Sequence, residues 1–183
     1  MSNEEEFELI KEFLSGKEKA FNKLVQIHQK NIYWHARRMV NNHADADEIT
    51  QEVILTIYKK LKKFNFNSSL STWIYRITHT KSLNLLKRNK FKNIFSLNDR
   101  SIQEKYSGED IIKKLEDKEK IEKVQKMLEK LPLKQKEVFI LRHFDELSYK
   151  EISLITGKSI GTLKANYFHA LTKIKDMMKD EKE

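Results

Sequence analysis

The sequence predicts an all-α protein of two small helical domains joined by a flexible linker, with a helix-turn-helix in the second domain. Four glycines and a single proline among 183 residues leave few turn signals, which favours long helices. Apolar residues recur at helical spacing in both halves of the chain. The spacing lapses between residues 93 and 118, where charges of both signs mix. We therefore expect domains over 1–92 and 119–183, with the linker between them.

The composition excludes several classes of protein. The absence of cysteine excludes disulfides, thiol nucleophiles and cysteine-based zinc sites. The start of the chain, MSNEEEFELI, is acidic and has no apolar signal core. We expect a cytoplasmic protein with no direct membrane insertion and no cofactor. The net charge of +9 favours acidic partners, with nucleic acid first.

The first two helices are predicted from their apolar faces. A short helix places Phe7, Ile10 and Leu14 on one face and ends near Gly16. A longer helix follows to about Val40, with an expected core of Phe21, Leu24, Ile27 and Met39. His28 and His35 lie a heptad apart on it, but no HExxH pattern or matched carboxylate accompanies them. We interpret them as ordinary histidines rather than metal ligands.

The third helix is predicted over residues 43–64. Asp45 is expected to cap it, with Glu48 in the reciprocal place. A buried stripe is expected from Ile49, Val53, Ile57, Leu61 and Phe64. Its first turns carry Asp47, Glu48, Gln51 and Glu52. These acids suit the helix macrodipole, but they could also form an acidic spot for a basic partner or ligate a metal. Metal ligation is the weakest reading, because no second acidic cluster or histidine converges on them.

Residues 53–98 form an acid-free block, which contains no Asp or Glu and ten Lys or Arg. A polar loop, residues 65–69, leads within it to a helix over 70–90 with Leu70, Ile74, Ile77 and Leu85 towards the core. The cations alternate with rings and with amide and hydroxyl side chains, a combination that favours single-stranded nucleic acid. Trp73 fits a core position and a stacking surface equally well.

The second domain has the pattern of a helix-turn-helix. One helix carries Ile121, Val124, Leu128 and Leu131, and Pro132 opens another with Val138, Leu141 and Phe144. Ser148 and Glu151 form a predicted capping box, Gly157 a tight turn and Ser159 the next cap. Residues expected to pack inward are Ile152, Ile155, Leu163, Phe168, Leu171 and Ile174. Such a short helix, turn and long basic helix is typical of DNA readers, although an ordinary αα-hairpin has the same outline.

Two sequence blocks together resemble the extracytoplasmic-function group of bacterial RNA polymerase sigma factors. They are DADEITQEVILTIYKKLKKF with SSLSTWIYRI, and LPLKQKEVFILRHFDELSYKEISLITGKSIGTLKANYFHAL. The resemblance implies a non-enzymatic, dissociable subunit that binds core RNA polymerase through the largest subunit's clamp helices and the flap. It also implies promoter DNA as a ligand and an anti-sigma factor as a partner.

The resemblance assigns three groups of positions. Core-polymerase binding is implied for Asp47, Glu48, Gln51 and Glu52. Binding of the melted −10 element is implied for Lys62, Asn65, Phe66, Asn67, Ser69, Ser71, Thr72, Trp73, Arg76, Lys87 and Arg88. Reading of the −35 duplex is implied for Lys158, Ser159, Thr162, Lys164, Asn166, His169 and Lys173.

The chain departs from the family pattern in both DNA-facing segments. The loop commonly holds Arg, Gly and Glu where this chain has Asn65, Phe66 and Asn67. The recognition helix has Asn166 and His169 where Arg is usual, and Asn can hold adenine bidentately. One alternative is an autonomous helix-turn-helix regulator, which would leave the acid-free block without a role. The other is a nuclease using Asp45, Asp47 and Glu48, which lacks a second carboxylate cluster.

Overall fold

The computed structural model describes residues 3–95 and 111–180, and within those ranges the chain is α-helical with no strand. Four helices form a first unit: α1 (Asn3–Leu14), α2 (Glu18–Val40), α3 (His43–Lys60) and α4 (Leu70–Phe95). Four more form a second: α5 (Ile111–Glu129), α6 (Leu133–Phe139), α7 (Tyr149–Thr156) and α8 (Ile160–Asp180). A 3₁₀ turn (Leu61–Lys63) follows α3, and a π-helical turn (Ile140–Phe144) follows α6. The all-α prediction is confirmed for the described residues.

The core of the first unit lies between α2, α3 and α4. The predicted stripe of α3 is buried in full, and Leu70, Ile74 and Leu85 of α4 pack against it. The core prediction is wrong for Ile27, which is 38% exposed. On the apolar face predicted for α1, Ile10 is buried, whereas Phe7 and Leu14 are 36% and 52% exposed. Ile27 lies about 100° around the helix from His28, which belongs to the buried face of α2. Leu14 is the last residue of α1.

The start of α3 differs from the prediction. Asn42, not Asp45, is the N-cap, and its Oδ1 accepts a hydrogen bond from the Asp45 backbone N–H at 2.9 Å. Asn41, in the left-handed conformation with φ of 57°, ends α2 just before it. Because Asn41 ends α2 and Asn42 caps α3, α3 begins at His43, earlier than a cap at Asp45 would place its start.

The helix-turn-helix of the second unit forms as predicted at its caps. Glu151 Oε2 accepts from the Ser148 backbone N–H at 2.8 Å, which completes the capping box. Gly157 takes the left-handed conformation with φ of 70°, and Ser159 Oγ accepts from the Thr162 N–H at 3.2 Å. These two local devices fix where α7 ends and α8 begins.

The inward face of α8 consists of Leu163, Ala170 and Ile174, all buried. Phe168, predicted to pack inward, is 65% exposed, so that prediction is wrong. The reason is helical phase. Tyr167 lies four residues after Leu163 and three before Ala170, so it shares their inward face, and Phe168 lies about 100° further around the helix.

The two units share buried contacts, which the sequence did not predict. Met39 of α2 is fully buried among side chains of α5, α6 and α8, and α4 packs against α7. Asp145, which follows the π-helical turn, accepts a hydrogen bond from Nδ1 of His35 at 2.6 Å. Arg38 Nη1 lies 3.8 Å from the same carboxylate, and its guanidinium lies 4.3 Å from the centre of the Phe144 ring. The units thus pack through a buried polar contact surrounded by apolar side chains.

The boundaries of the predicted linker fall partly outside the described residues. Helix α4 continues to Phe95 and α5 begins at Ile111, so helical residues occupy both ends of the 93–118 range. Residues 96–110 lie outside the described part of the chain. Among the helices described, none is long and apolar enough to cross a membrane.

Candidate nucleic-acid interface

The acidic turn of α3 presents one exposed polar face. All four predicted polymerase-binding residues, Asp47, Glu48, Gln51 and Glu52, are exposed. Glu52 Oε2 accepts from Lys81 Nζ at 2.7 Å, and Asp47 lies 3.6 Å from His43 Nε2. Leu55 follows on the same face one turn later and is 57% exposed. Sequence reasoning missed Leu55, although its spacing from Glu48 and Gln51 carries the signal. In residues 3–95 and 111–180, no three His, Asp or Glu side chains converge as a metal site.

A row of four aromatic rings supports the loop between the 3₁₀ turn and α4. Trp73 is half-buried and lies 5.4 Å from Phe64, ring centre to ring centre. Phe64 is buried and lies 4.7 Å from Phe66, which is 49% exposed. Phe7 of α1 completes the row at 4.9 Å from Phe66. The row therefore extends from the core at Phe64 to solvent at Phe66 and Phe7.

The predicted −10 residues do not share one environment. Those with exposed side chains are Lys62, Asn65, Phe66, Asn67, Arg76, Lys87 and Arg88. Ser69, Ser71 and Trp73 are half-buried, and Trp73 packs against the core of the first unit. Thr72 is 3% exposed, because its hydroxyl lies beneath α7 and donates to Glu151 Oε1 at 3.2 Å. The exposed cations remain on the solvent side of α4, whereas Thr72 is covered by the second unit.

The covered face of α4 has unusual electrostatics. Burial, the neighbouring His35 and the more distant Lys158 together lower the pKa of His79 to about 3. Burial also raises the pKa of Tyr75, and the Asp145 charge adds to that rise. Burial of Glu151 acts to raise its pKa, but hydrogen bonds from Ser148 and Thr72 outweigh it and hold the pKa below the usual value. The interface between the units thus favours a neutral histidine and an ionised Glu151.

Most of the residues predicted to read the −35 element are exposed on α8 or just before it. Ser159, Thr162, Lys164, His169 and Lys173 are exposed, and the Ser159 hydroxyl also serves as the helix cap. Asn166 is half-buried, and its Nδ2 donates to the backbone oxygen of Thr162 at 2.9 Å. Lys158 forms an ion pair with Glu137, whose side chain is only 6% exposed. Lys158 is therefore engaged within the second unit, whereas Lys173 is exposed.

The outward face of α8 includes residues that sequence reasoning missed. Phe168 and the small residue Ala165 are exposed on the side opposite Leu163 and Ala170, together with Thr172. The helical phase of the buried residues carries the signal, because positions about half a turn from them must face outward. An exposed ring and a small side chain can both contact thymine methyl groups in a major groove.

Comparison with known families identifies the family to which this chain belongs. Residues 24–92 match the family model "Sigma-70 region 2", and residues 121–174 match "Sigma-70, region 4". The chain belongs to the sigma-70 family. The predicted resemblance is confirmed. The two matched segments contain the acidic turn of α3, the loop of residues 64–69 with Phe64 and Phe66 (the aromatic loop), and the helix-turn-helix.

Relatives of this sigma factor match it over nearly its whole length. The ECF RNA polymerase sigma factor SigW of Bacillus subtilis is 28% identical, over 93% of this chain and 95% of that protein. The ECF RNA polymerase sigma-E factor of Escherichia coli is 28% identical over 88% of each. These relatives agree with the extracytoplasmic-function group predicted from the sequence.

Two solved structures share the fold. One is CnrH in complex with the cytosolic domain of CnrY, with a TM-score of 0.72, 19% identity, and coverage of 94% of this chain and 96% of that one. The other is RpoE in complex with the anti-sigma factor NepR from Bartonella quintana, with a TM-score of 0.68, 19% identity, and coverage of 88% and 98%. At 19% identity, these similarities show a shared fold only.

Proposed function

We propose that the chain is a dissociable sigma subunit that binds core RNA polymerase and directs promoter-specific initiation. The −35 element is read as duplex by α8, and the −10 element is bound as melted single strand by the aromatic loop and α4. One observation carries this proposal: a single chain contains both sigma regions, each with a surface of the required chemistry. An autonomous helix-turn-helix regulator accounts for only the second region.

The single-strand surface combines rings with cations and has no acid of its own. Phe66 and Lys62 are both exposed, and so are Arg76, Lys87 and Arg88 along α4. Rings stack on unpaired bases of any identity, and cations neutralise the phosphates. This division of roles suits a strand that is held after melting rather than read as duplex.

The remaining roles follow from the family membership. The subunit has no catalysis of its own and acts in the cytoplasm, where it meets core polymerase at the clamp helices and the flap. The acidic turn of α3 is the proposed contact with the clamp helices. An anti-sigma factor is a proposed partner, supported by the two structural neighbours solved with CnrY and NepR.

The deciding experiment is transcription and binding with purified core polymerase. Charge reversal with Asp47→Lys and Glu48→Lys should weaken core binding while the fold is kept, because exposed positions rarely carry much stability. The matched control is Glu119→Lys with Asp176→Lys, which makes the same charge change at exposed positions of the second unit. Native core affinity in the first pair would refute the docking assignment. Tight promoter binding by wild type without polymerase would favour the autonomous regulator.

A further inference from the structure

The N-terminal helix α1 contributes to the aromatic loop, although neither matched family segment includes it. Phe7 is 36% exposed and meets Phe66 edge to face, with the ring planes at 71° and the ring centres 4.9 Å apart. Both rings keep exposed area while touching each other. Two partly exposed phenylalanines from distant parts of the chain are thus held side by side at the surface.

Phe66 is held in a strained conformation. Its φ of 57° lies in the left-handed region, which bulky side chains rarely adopt. Glycine, which has no Cβ, would adopt such a φ without strain. The ring is instead retained and held between Phe64 and Phe7. Strain of this kind is found where the surroundings impose it, often at binding sites.

The charges around Phe7 are compatible with a nucleic acid. Lys11 Nζ lies 4.1 Å from the centre of the Phe7 ring, and it also pairs with Glu8 at 3.0 Å. The adjacent Glu6 turns inward, with its side chain 14% exposed and its Oε1 3.1 Å from Nε2 of the buried His28. The acids on either side of Phe7 are thus each close to a basic partner, and the loop itself carries none.

We propose that Phe7 and Phe66 together form a two-ring slot for one unpaired base of the melted strand, so that α1 is part of the −10 binding surface. This inference rests on the proposed single-strand role of the loop. A base stacked on one ring also directs its edge at the face of the other, because the rings stand nearly perpendicular. Stacking of one base on an aromatic side chain contributes about 1–3 kcal/mol, or roughly 5- to 150-fold in binding.

The test uses holoenzyme assembled from the full chain and core polymerase, on a promoter pre-melted across the −10 element. Phe7→Leu keeps an apolar side chain but removes the flat ring, and Phe7→Tyr keeps the ring. We expect Phe7→Leu to weaken binding about 5-fold or more and Phe7→Tyr to retain it. Leu14→Ala, a change at an exposed apolar position of the same helix, should leave binding unchanged. Thermal melting of each free variant checks that α1 stays folded.

Single abasic sites along the non-template strand then locate the base. At one abasic position the Phe7→Leu defect should vanish, and the Phe66→Ala defect should vanish at the same position. Normal binding by Phe7→Leu beside defective Phe66→Ala would overturn the slot while sparing the proposed function. Tighter binding by Phe7→Leu would also overturn it, because Phe7 would then be a cover over Phe66. Normal binding by both Phe66→Ala and Arg76→Ala would instead refute the single-strand role itself.

Discussion

Asp145→Ala removes the polar contact that joins the two units. The carboxylate is 3% exposed, accepts from His35 at 2.6 Å and lies 3.8 Å from Arg38. Without it, the His35 N–H is buried with no acceptor, and Arg38 loses its opposite charge. Breaking a buried pair by removing one partner costs about 3–5 kcal/mol. Because the Arg38 side chain is 21% exposed and keeps some contact with water, we expect the lower end, about 3 kcal/mol.

This loss is felt only while the units are packed, since Asp145 belongs to the second unit and both of its partners to the first. The equilibrium between packed and separated units should therefore shift by about 150-fold towards separation. The chain has no cysteine, so Lys23→Cys and Lys150→Cys at exposed positions of α2 and α7 accept a donor and an acceptor dye. Energy transfer between them, followed in urea, reports the separation directly.

Glu146→Gln is the matched control, because it removes an exposed acid from the adjacent position. It should leave both the dye distance and the urea midpoint unchanged. Asp145→Asn keeps an oxygen acceptor for His35 but no charge for Arg38, so its effect should be intermediate. If Asp145→Ala keeps the wild-type distance and midpoint, the contact does not hold the units together and the reasoning is refuted.

Four further predictions concern single side chains. Burial lowers the pKa of His79 to about 3, so below about pH 6.5 the unfolded chain binds a proton that the folded chain excludes. Stability should fall by about 2 kcal/mol between pH 7 and pH 5 on this account, and urea titrations of His79→Gln should lack that part of the slope. Lys158→Ala leaves Glu137 buried and unpaired and should cost about 2 kcal/mol of stability in urea denaturation. Lys173→Ala should instead leave stability unchanged and lower the salt dependence of promoter binding by about one unit of slope. Asn166→Ala should cost about 1–3 kcal/mol on the preferred promoter and relax selection at one base pair, measured across all single-base variants of the −35 element. An equal loss on every variant would show that Asn166 is not a base reader.

The sequence predicts best what is encoded locally. The buried stripe of α3 follows from a repeated spacing, and the caps at Ser148 and Ser159 follow from residue types at fixed offsets. Errors of phase arise where two apolar neighbours compete for one face. Tyr167 lies on the inner side of α8 and Phe168 turns to solvent, which depends on the register of the whole helix.

Contacts between distant segments are harder to predict. His35 and Asp145 are 110 positions apart. Nothing in the sequence around either residue indicates that the two side chains form a hydrogen bond. The same holds for Phe7 and Phe66, whose contact depends on how α1 lies across the loop. Helical periodicity shows which side of a helix is apolar, but it does not show which other helix covers it.

The burial of Met39 between the units has a consequence for affinity. The side chain is fully buried in the free chain, among residues of the second unit that include Leu128 and Ile140. For any partner that needs the units apart, the apparent Kd equals the intrinsic Kd divided by the fraction of chains already open. Each 1.4 kcal/mol of closure therefore weakens such binding about tenfold. Met39→Ala should tighten the binding of such a partner while making the free chain less stable. A side chain that is buried in the packed chain, where no partner can contact it, therefore contributes to the affinity of this sigma factor.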